Sequence, residues 1–498
     1  MSKIWRPRPA SEMPPATREI FLNPDYERDL HDPFLMLDME RAARRIVAAI
    51  QGNEKIAVFA DYDADVVPGA AVLTSFFRQI NFNNFVVYIP DRHNEAYGLN
   101  DQALATLAER GAKLVITVDC GVTDVGPVET ANRLGLEVII TDHHLTPEVL
   151  PAAYAVVDPK RSGDLYPYKM LAGAGVVFKL VQALLVAGHW PTVSPGWEKW
   201  LLDLVAIATV SDMVPLTGEN RALAYFGLKV LRRTPRPGLR GLFRVLNLTP
   251  EVITEDDIGF SIGPRLNSAS RMSHGDEAYA LLTATDEVLA GTLARHLETK
   301  NRERRTSVTA ILNGINFDPA APLLVAGQPD WSLGVLGLAA SRLAEEWRRP
   351  VFLWGQNGRG EIKGSCRSDG SVNLVELMKR AHDTAGDLFL NFGGHIGAGG
   401  FSLAADRLAD LASSLLGAHA EVEKLVVSHE QFFDHELSFD AIGEETYRAL
   451  VPLAPFGVDN PKPIFLFPNL KIERARRFGT DNNHLELFFP HARLGRLS

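Results

Sequence analysis

The chain is short of cysteine: Cys120 and Cys366 are the two it has in 498 residues. Two thiols cannot build a disulfide framework, and the expectation is a reducing, cytoplasmic setting. Long apolar runs are also missing. The longest are strand-length or broken by polar residues, so no transmembrane span and no membrane partner are read. The opening, MSKIWRPRPASEMPPATRE, lacks the apolar core of a secretory signal. An excess of positive charge is absent too, since the formal net charge is -10. Any nucleic-acid contact must then rest on local cation clusters. Candidates are Arg232, Arg233, Arg236, Arg240 and Arg244; Arg295, Lys300, Arg302, Arg304 and Arg305; and Arg474, Arg476 and Arg477. What remains, 46% hydrophobic and 22% charged, describes an ordinary globular protein too long for one core, so about three domains are expected.

The stretch Ile56–Asp65, IAVFADYDAD, begins as a buried strand and ends in Asp61, Asp63 and Asp65. Alternate residues of an extended chain share a face, so these acids can crowd together and invite a cation. The pattern then repeats. FVVYIPDR, LVITVDCG, EVIITDHH and AYAVVDP read as strands, with helices near 69–79, 100–110 and 124–134 between them. Strands alternating with helices predict an α/β domain with a doubly wound parallel sheet. The strands end in or near Asp65, Asp91, Asp119, Asp142 and Asp158, at the edge where such sheets bind ligands.

Further along, Trp200–Leu216 reads as an apolar helix ending at Ser211 and Asp212, and GFSIGPRLNSASRM as turn-rich. Residues 286 to about 313 form one long polar helix, suited to bridging domains. A second, smaller α/β unit follows, carrying Ser365 and Arg367 in EIKGSCRS and a glycine-dense loop around His395. The last 70 residues alternate like β-structure and stop abruptly, as a barrel lacking its final strands would. The first 33 residues read as an extended arm, followed by a helix from Leu35 to Ile50.

Asp63, Asp65, Asp119, His143, His144 and Asp212 are the candidate catalytic set. Carboxylates and imidazoles without a cysteine partner favour Mn2+ or Mg2+ over structural zinc. So many oxygen and nitrogen ligands can hold two ions, which suits phosphoester cleavage.

These motifs together resemble the DHH phosphoesterase superfamily and, within it, the RecJ-type single-strand-specific DNA exonucleases. The matching pieces are DYDAD (61–65), IPDR with AYGL (89–99), VDCG (118–121), TDHH (141–144), SDMVPL (211–216) and GPRLNSASRM (263–272). They continue with WSLGVLGLAASRL (331–343), KGSCRS (363–368), GGHIGAGGF (393–401) and PFGVDNPKPIF (455–465). The resemblance implies an N-terminal arm and helix (1–50), a DHH catalytic domain (51–285), a connecting helix (286–315), a DHHA1 domain (316–428) and a truncated OB-type barrel (429–498). It implies that Asp63, Asp65, Asp119, His143 and Asp212 ligate two Mn2+ or Mg2+ ions, with His144 a ligand or phosphate contact. Asp61 and Asp142 would support the ligands from behind. Arg92, Arg271, Ser365, Arg367 and His395 would hold DNA phosphates. The implied activity is 5′-to-3′ hydrolysis of single-stranded DNA to 5′-mononucleotides, in repair and recombination, with a helicase or a single-strand-binding protein as partners.

The chain departs from the family pattern at Val66 and Pro68, where Gly and Thr or Ser are usual, and at Ala96, Ser270, Ser332 and Asp459. A glycine with positive φ cannot readily become Val, and Pro68 removes a donor. Two rival readings follow: a DHH phosphodiesterase of short oligonucleotides or cyclic dinucleotides, and a catalytically impaired single-strand-binding scaffold.

Overall fold

The computed structural model describes residues 4–8, 15–63, 66–92, 95, 98–316, 318, 320–425, 430–479, 482, 484–491 and 495–497. Asp65 and Ala96 lie outside the described residues.

A short strand, β1 (Ile4–Pro7), precedes the first sheet. That sheet contains β2 (Ile56–Ala60), β3 (Phe85–Tyr88), β4 (Leu114–Val118), β5 (Glu137–Thr141) and β6 (Ala155–Val157). It is wholly parallel, in the order β3-β2-β4-β5-β6. The near-continuous apolar runs reflect cover on both faces. Ile56, Val58 and Ala60 pack into one cluster with Leu114, Ile116 and Val118. Ala57, Phe59 and Val115 point the other way, into a second cluster with Leu104 and Val128. Each fully buried Val, Ile, Leu or Phe contributes about 1.5–3 kcal/mol.

Several sequence expectations need correction. The N-terminal arm is largely helical, over Pro15–Leu22 and Tyr26–Asp29, and Asp25 caps the second piece by accepting from the Glu27 and Arg28 amides. The next helix runs Met39–Gln51. GFSIGPRLNSASRM is not turn: a π-helical stretch, Asp257–Ile262, continues into the helix Gly263–Met272. Pro264 sits in that helix's first turn, where a missing N–H costs nothing. The Arg232–Arg244 cluster is consumed internally. Arg236 pairs with buried Asp203 at 3.0 Å, Arg244 with Glu287 at 2.7 Å, and Arg232 donates to the Ile253 carbonyl.

The helix Glu287–Asn313 has 27 residues, about 40 Å of rise, and is capped by Asp286. It packs on Gly263–Met272 at one end and on the helix Leu333–Trp347 at the other, joining the two α/β units. The second sheet comprises β7 (Leu324–Gly327), β8 (Val351–Gln356), β9 (Ile362–Arg367), β10 (Asn391–His395) and β11 (Ala398–Leu403), in the order β10-β11-β9-β8-β7. The glycine-dense segment is therefore a β-hairpin, not a loop: Gly393 faces Gly400 and Gly394 faces Gly399. At Gly394, with φ 143°, a Cβ would lie 2.3 Å from the Ala398 carbonyl oxygen.

Towards the C-terminus β12 (Glu430–Phe433) pairs in parallel with β1. β13 (His435–Glu436) pairs with β14 (Phe465–Leu466). β15 (Arg474–Phe478), β16 (His484–His491) and β17 (Gly495–Leu497) form an antiparallel trio. No closed barrel forms among the described residues. Nor is any described helix long and apolar enough to cross a membrane.

Candidate active site

The carboxyl edge of the parallel sheet gathers the candidate ligands. Asp119 follows β4 with φ 61°, a left-handed conformation that Asp tolerates better than most residues. Its amide donates to the Thr141 carbonyl, 2.9 Å away. The helix Gly173–Ala187 begins against it: a Cβ on Gly173 would sit 2.4 Å from the Asp119 carboxyl carbon. The glycine thus leaves the room that the carboxylate fills.

The His143 and His144 rings pack edge to face, with centroids 4.8 Å apart. The Nδ1–H of His143 donates to the Leu171 carbonyl at 2.8 Å, which turns Nε2 toward the acids. That Nε2 lies 3.0 Å from Asp119 and 3.6 Å from Asp212. Burial works against charge on this ring. The hydrogen bond and charge of Asp119, with Asp212 behind them, prevail and raise its pKa to about 9. The Nδ1–H of His144 donates to Asp142 at 2.7 Å, and Asp142 also accepts from the amides of His143 and Val122. Burial alone would lift the Asp142 pKa, but these donors, His144 first, hold it below the usual range. Asp142 is thus an orienting carboxylate, the arrangement commonly found behind metal-ligating histidines. Asp212 is the residue that ends the helix Leu202–Ser211, so its carboxylate arrives from a separate element.

Asp119, His143 and His144 each present a ligand atom within 4.8 Å of the others. Asp61 is 1% exposed, and among the described residues its carboxylate oxygens, like Asp212 Oδ2, are buried without a well-formed hydrogen bond. Burial first, then the charge of Asp63, raises the Asp61 pKa to about 8. Buried carboxylate oxygens without well-formed hydrogen bonds, beside imidazole nitrogens freed by their own orienting partners, fit a divalent cation. Cys120 is fully buried in the apolar cluster under the sheet, and burial keeps its thiol protonated, so sulfur takes no part.

The structure does not bring Asp63 into that group. Its Oδ1 pairs with Arg92 at 2.7 Å, and the Arg92 guanidinium lies over the Tyr62 ring, 4.9 Å from its centre. Ser365, Arg367 and His395 lie on the second unit, and Arg271 reaches it from the first. Arg271 donates to the Gly334 carbonyl at 3.1 Å, and burial, then the nearby Arg92 charge, lowers its pKa to about 10. Arg367 donates to the Cys366 carbonyl at 2.8 Å. A Cβ on Gly337 would lie 2.9 Å from Arg367 and 3.6 Å from the Ser365 hydroxyl, so glycine lets both approach the helix Leu333–Trp347. His395 is exposed at the hairpin end, opposite Ala398, which in turn pairs with Arg367. Two residues that lie in or beside the sequence motifs, but outside the candidate set, also stand out. Tyr62 sits inside the acidic motif, and Asp158 is buried, with a pKa raised to about 7 chiefly by burial. An acid ending an apolar strand was the available signal for Asp158.

The departures that fall among the described residues are accommodated in shape. Val66 has φ -88°, so no positive φ is required of it, and Pro68 sits in the first turn of the helix Val67–Gln79. Asp459, at the family's glycine position, keeps φ 59°. Ser270 turns its hydroxyl to the Asn267 carbonyl, and Ser332 occupies the cap position of Leu333–Trp347.

Family models match in sequence order: the DHH family N-terminal domain over residues 55–209, the DHHA1 domain over 320–418 and the RecJ OB domain over 433–496. A single-stranded-DNA-specific exonuclease RecJ from Bacillus subtilis is 38% identical over 93% of this chain, which spans 58% of that relative's length. The protein of that description from Haemophilus influenzae is 33% identical over 92% of this chain and 82% of its own. The crystal structure of RecJ in complex with Mn2+ from Thermus thermophilus superposes with a TM-score of 0.80 at 30% identity, covering 95% of this chain and 67% of that one. The Mg2+ complex gives 0.72 at 29%, covering 95% and 65%. On this sequence and structural likeness, the chain belongs to the RecJ family of the DHH superfamily.

Proposed function

We propose that the chain is a divalent-metal-dependent exonuclease that degrades single-stranded DNA from its 5′ end and releases 5′-mononucleotides. One observation carries the reading: Asp119, after β4, and Asp212, at the end of the Leu202–Ser211 helix, both lie within 4 Å of His143 Nε2, and His144 presents a further ligand atom within 4.8 Å of Asp119 and His143. The proposed holders of Mn2+ or Mg2+ are Asp119, His143 and Asp212, with Asp63 and Asp65 completing a second position and His144 a ligand or phosphate contact. Two RecJ structures carry these ions. Bound there, the metal would activate water and stabilise the leaving 3′ oxygen. Asp142 holds His144 in one orientation, and Asp61 supplies buried negative charge behind the site. Arg271, Arg367 and Ser365 would anchor the 5′ phosphate, while Arg92 and His395 would reach the phosphate near the scissile bond. The cleft would lie between a DHH unit (51–285) and a DHHA1 unit (316–428), joined by the helix of 286–315. An N-terminal segment (1–50) and an OB-type unit (429–498) would flank them. A helicase or a single-strand-binding protein would supply the strand, in the cytoplasm.

The test is digestion of one strand labelled at either end, with Mn2+ and with chelator. Mononucleotide release from the 5′ label, abolished by chelator, is expected. Preference for dinucleotides, or binding without metal-dependent release, would replace this reading with one of its two rivals.

A further inference from the structure

The register of the second sheet continues the phosphate anchor in one direction. Along β9, Lys363, Ser365 and Arg367 alternate and so share a face. Across the antiparallel partners β11 and β10, directly opposed residues also share a face. The sheet therefore presents three rungs: Arg367–Ala398–His395, Ser365–Gly400–Gly393 and Lys363–Ser402–Asn391. The first holds two of the three proposed phosphate contacts on this sheet, Arg367 and His395. The second has a side chain only at Ser365, so its glycines form a bare backbone floor. The third restores a cation, a hydroxyl and an amide.

Above the second and third rungs lies a chamber of about 490 Å3, which Tyr62 and Arg92 close from the catalytic unit. Lys363 lies about 6.6 Å along the strand from Ser365. Its side chain is exposed, and among the described residues it has no carboxylate within ion-pairing distance. A cation with no acid beside it, in a chain of net charge -10, at the far wall of a chamber opening from a phosphate anchor, is placed for more phosphate. A lysine on a plain solvated face would have neither the enclosing wall nor the glycine floor.

We propose that this chamber is a subsite for 5′ ends carrying more than one phosphate, with Lys363 as its cation and Asn391 and Ser402 as its hydrogen-bonding groups. The proposal rests on the exonuclease reading above and extends its substrate class to 5′-polyphosphorylated strands. The chemistry of the first cut is then fixed. Water adds to phosphorus at the first internucleotide linkage, and the bond to the 3′ oxygen breaks. That oxygen takes up a proton lost by the water. The first product is a nucleoside 5′-triphosphate, and the shortened strand carries a single 5′ phosphate. Every later product is a mononucleotide.

The experiment compares one oligodeoxynucleotide with a 5′-triphosphate or a 5′-monophosphate, on the full chain and on Lys363→Ala and Lys363→Arg, with Mn2+. Binding of both ends is also measured by fluorescence anisotropy in chelator, where no turnover is needed. The full chain is expected to release nucleoside triphosphate in its first turnover. Lys363→Ala should lower the triphosphate-to-monophosphate ratio, in rate and in affinity, by about tenfold, and Lys363→Arg should restore most of it. The proposal is overturned if triphosphate ends resist while monophosphate ends are degraded, if pyrophosphate is released first, or if the ratio is equal in all three proteins. Monophosphate strands left intact would instead count against the exonuclease reading, and the anisotropy ratio would still decide the subsite.

Discussion

At the scale of single residues, protons stand where a divalent ion is expected. His143 has its pKa raised to about 9 and Asp61 to about 8. In the unfolded chain both lose their protons at ordinary values, near 6.5 and 3.9. The folded, metal-free chain therefore binds more protons than the unfolded one as pH rises toward 8 and 9, and stability falls with pH across that window. The sign is the same for both: His143 loses its favourable pairing with Asp119, and Asp61 acquires a buried charge. On the proposed reading a divalent ion would take the place of the proton on His143 and compensate the charge on Asp61. The metal-free protein should accordingly melt lower at pH 9 than at pH 7, and saturating Mn2+ should remove most of that difference. Thermal denaturation at the two pH values, with metal and with chelator, checks this. A pH difference in melting that Mn2+ leaves untouched would remove these residues from the metal's neighbourhood.

At the scale of elements, the site depends on a support outside the two α/β units. The loop after Asp212 is held by the 454–460 segment: the Leu216 amide donates to the Val458 carbonyl at 2.8 Å. That segment is held in turn by Arg221. Its guanidinium donates to the carbonyls of Phe21, Pro452, Ala454 and Pro455 and lies 3.8 Å over the Phe21 ring. Asn460 donates to the Leu453 and Pro455 carbonyls from the other side. Arg221→Met keeps the bulk but takes the guanidinium donor from the partly buried carbonyls of Phe21, Pro452 and Ala454. A loss of about 2–4 kcal/mol in urea denaturation is expected, with weaker Mn2+ binding through the freed Asp212 loop. Unchanged Mn2+ affinity in a destabilised variant would show that the support does not reach the metal.

Elements also show what could be read in advance. The five parallel strands were legible because burial on both faces writes an unbroken apolar run. The 27-residue helix was legible because nothing in it breaks the period. The β10–β11 hairpin was not. Glycine carries no strand propensity, and its pairing with β9 is fixed by a segment some thirty residues away. Gly263–Met272 read as turn because Gly, Pro, Asn and Ser are turn residues in isolation, whereas burial of Leu266 and Ala269 makes it a helix. Of the site, the ligand types and their sheet edge were legible. The engagement of Asp63 by Arg92 was not, because it is a choice between partners that only folding makes.

At the scale of the whole molecule, the proposed substrate sets an acidic protein against an acidic polymer. Net charge of -10 repels DNA at a distance, so attraction must be confined to the cleft. On the proposed reading Arg92, Arg271 and Arg367 would supply it, and Arg271 and Arg367 have no carboxylate partner among the described residues. Even with its pKa lowered to about 10, Arg271 is charged at neutral pH. Three phosphate contacts on a single strand predict a slope of about -2 for log affinity against log salt concentration. Arg367→Ala should make that slope shallower by about 0.7 and weaken binding by a similar factor on strands of any sequence, because phosphates carry no base information. Fluorescence anisotropy over a salt series, on strands of unrelated composition, reads both quantities. A slope that Arg367→Ala leaves unchanged, or a loss confined to particular sequences, would mean that the strand is held elsewhere, on the exposed Arg474–Arg477 strand rather than between the two α/β units.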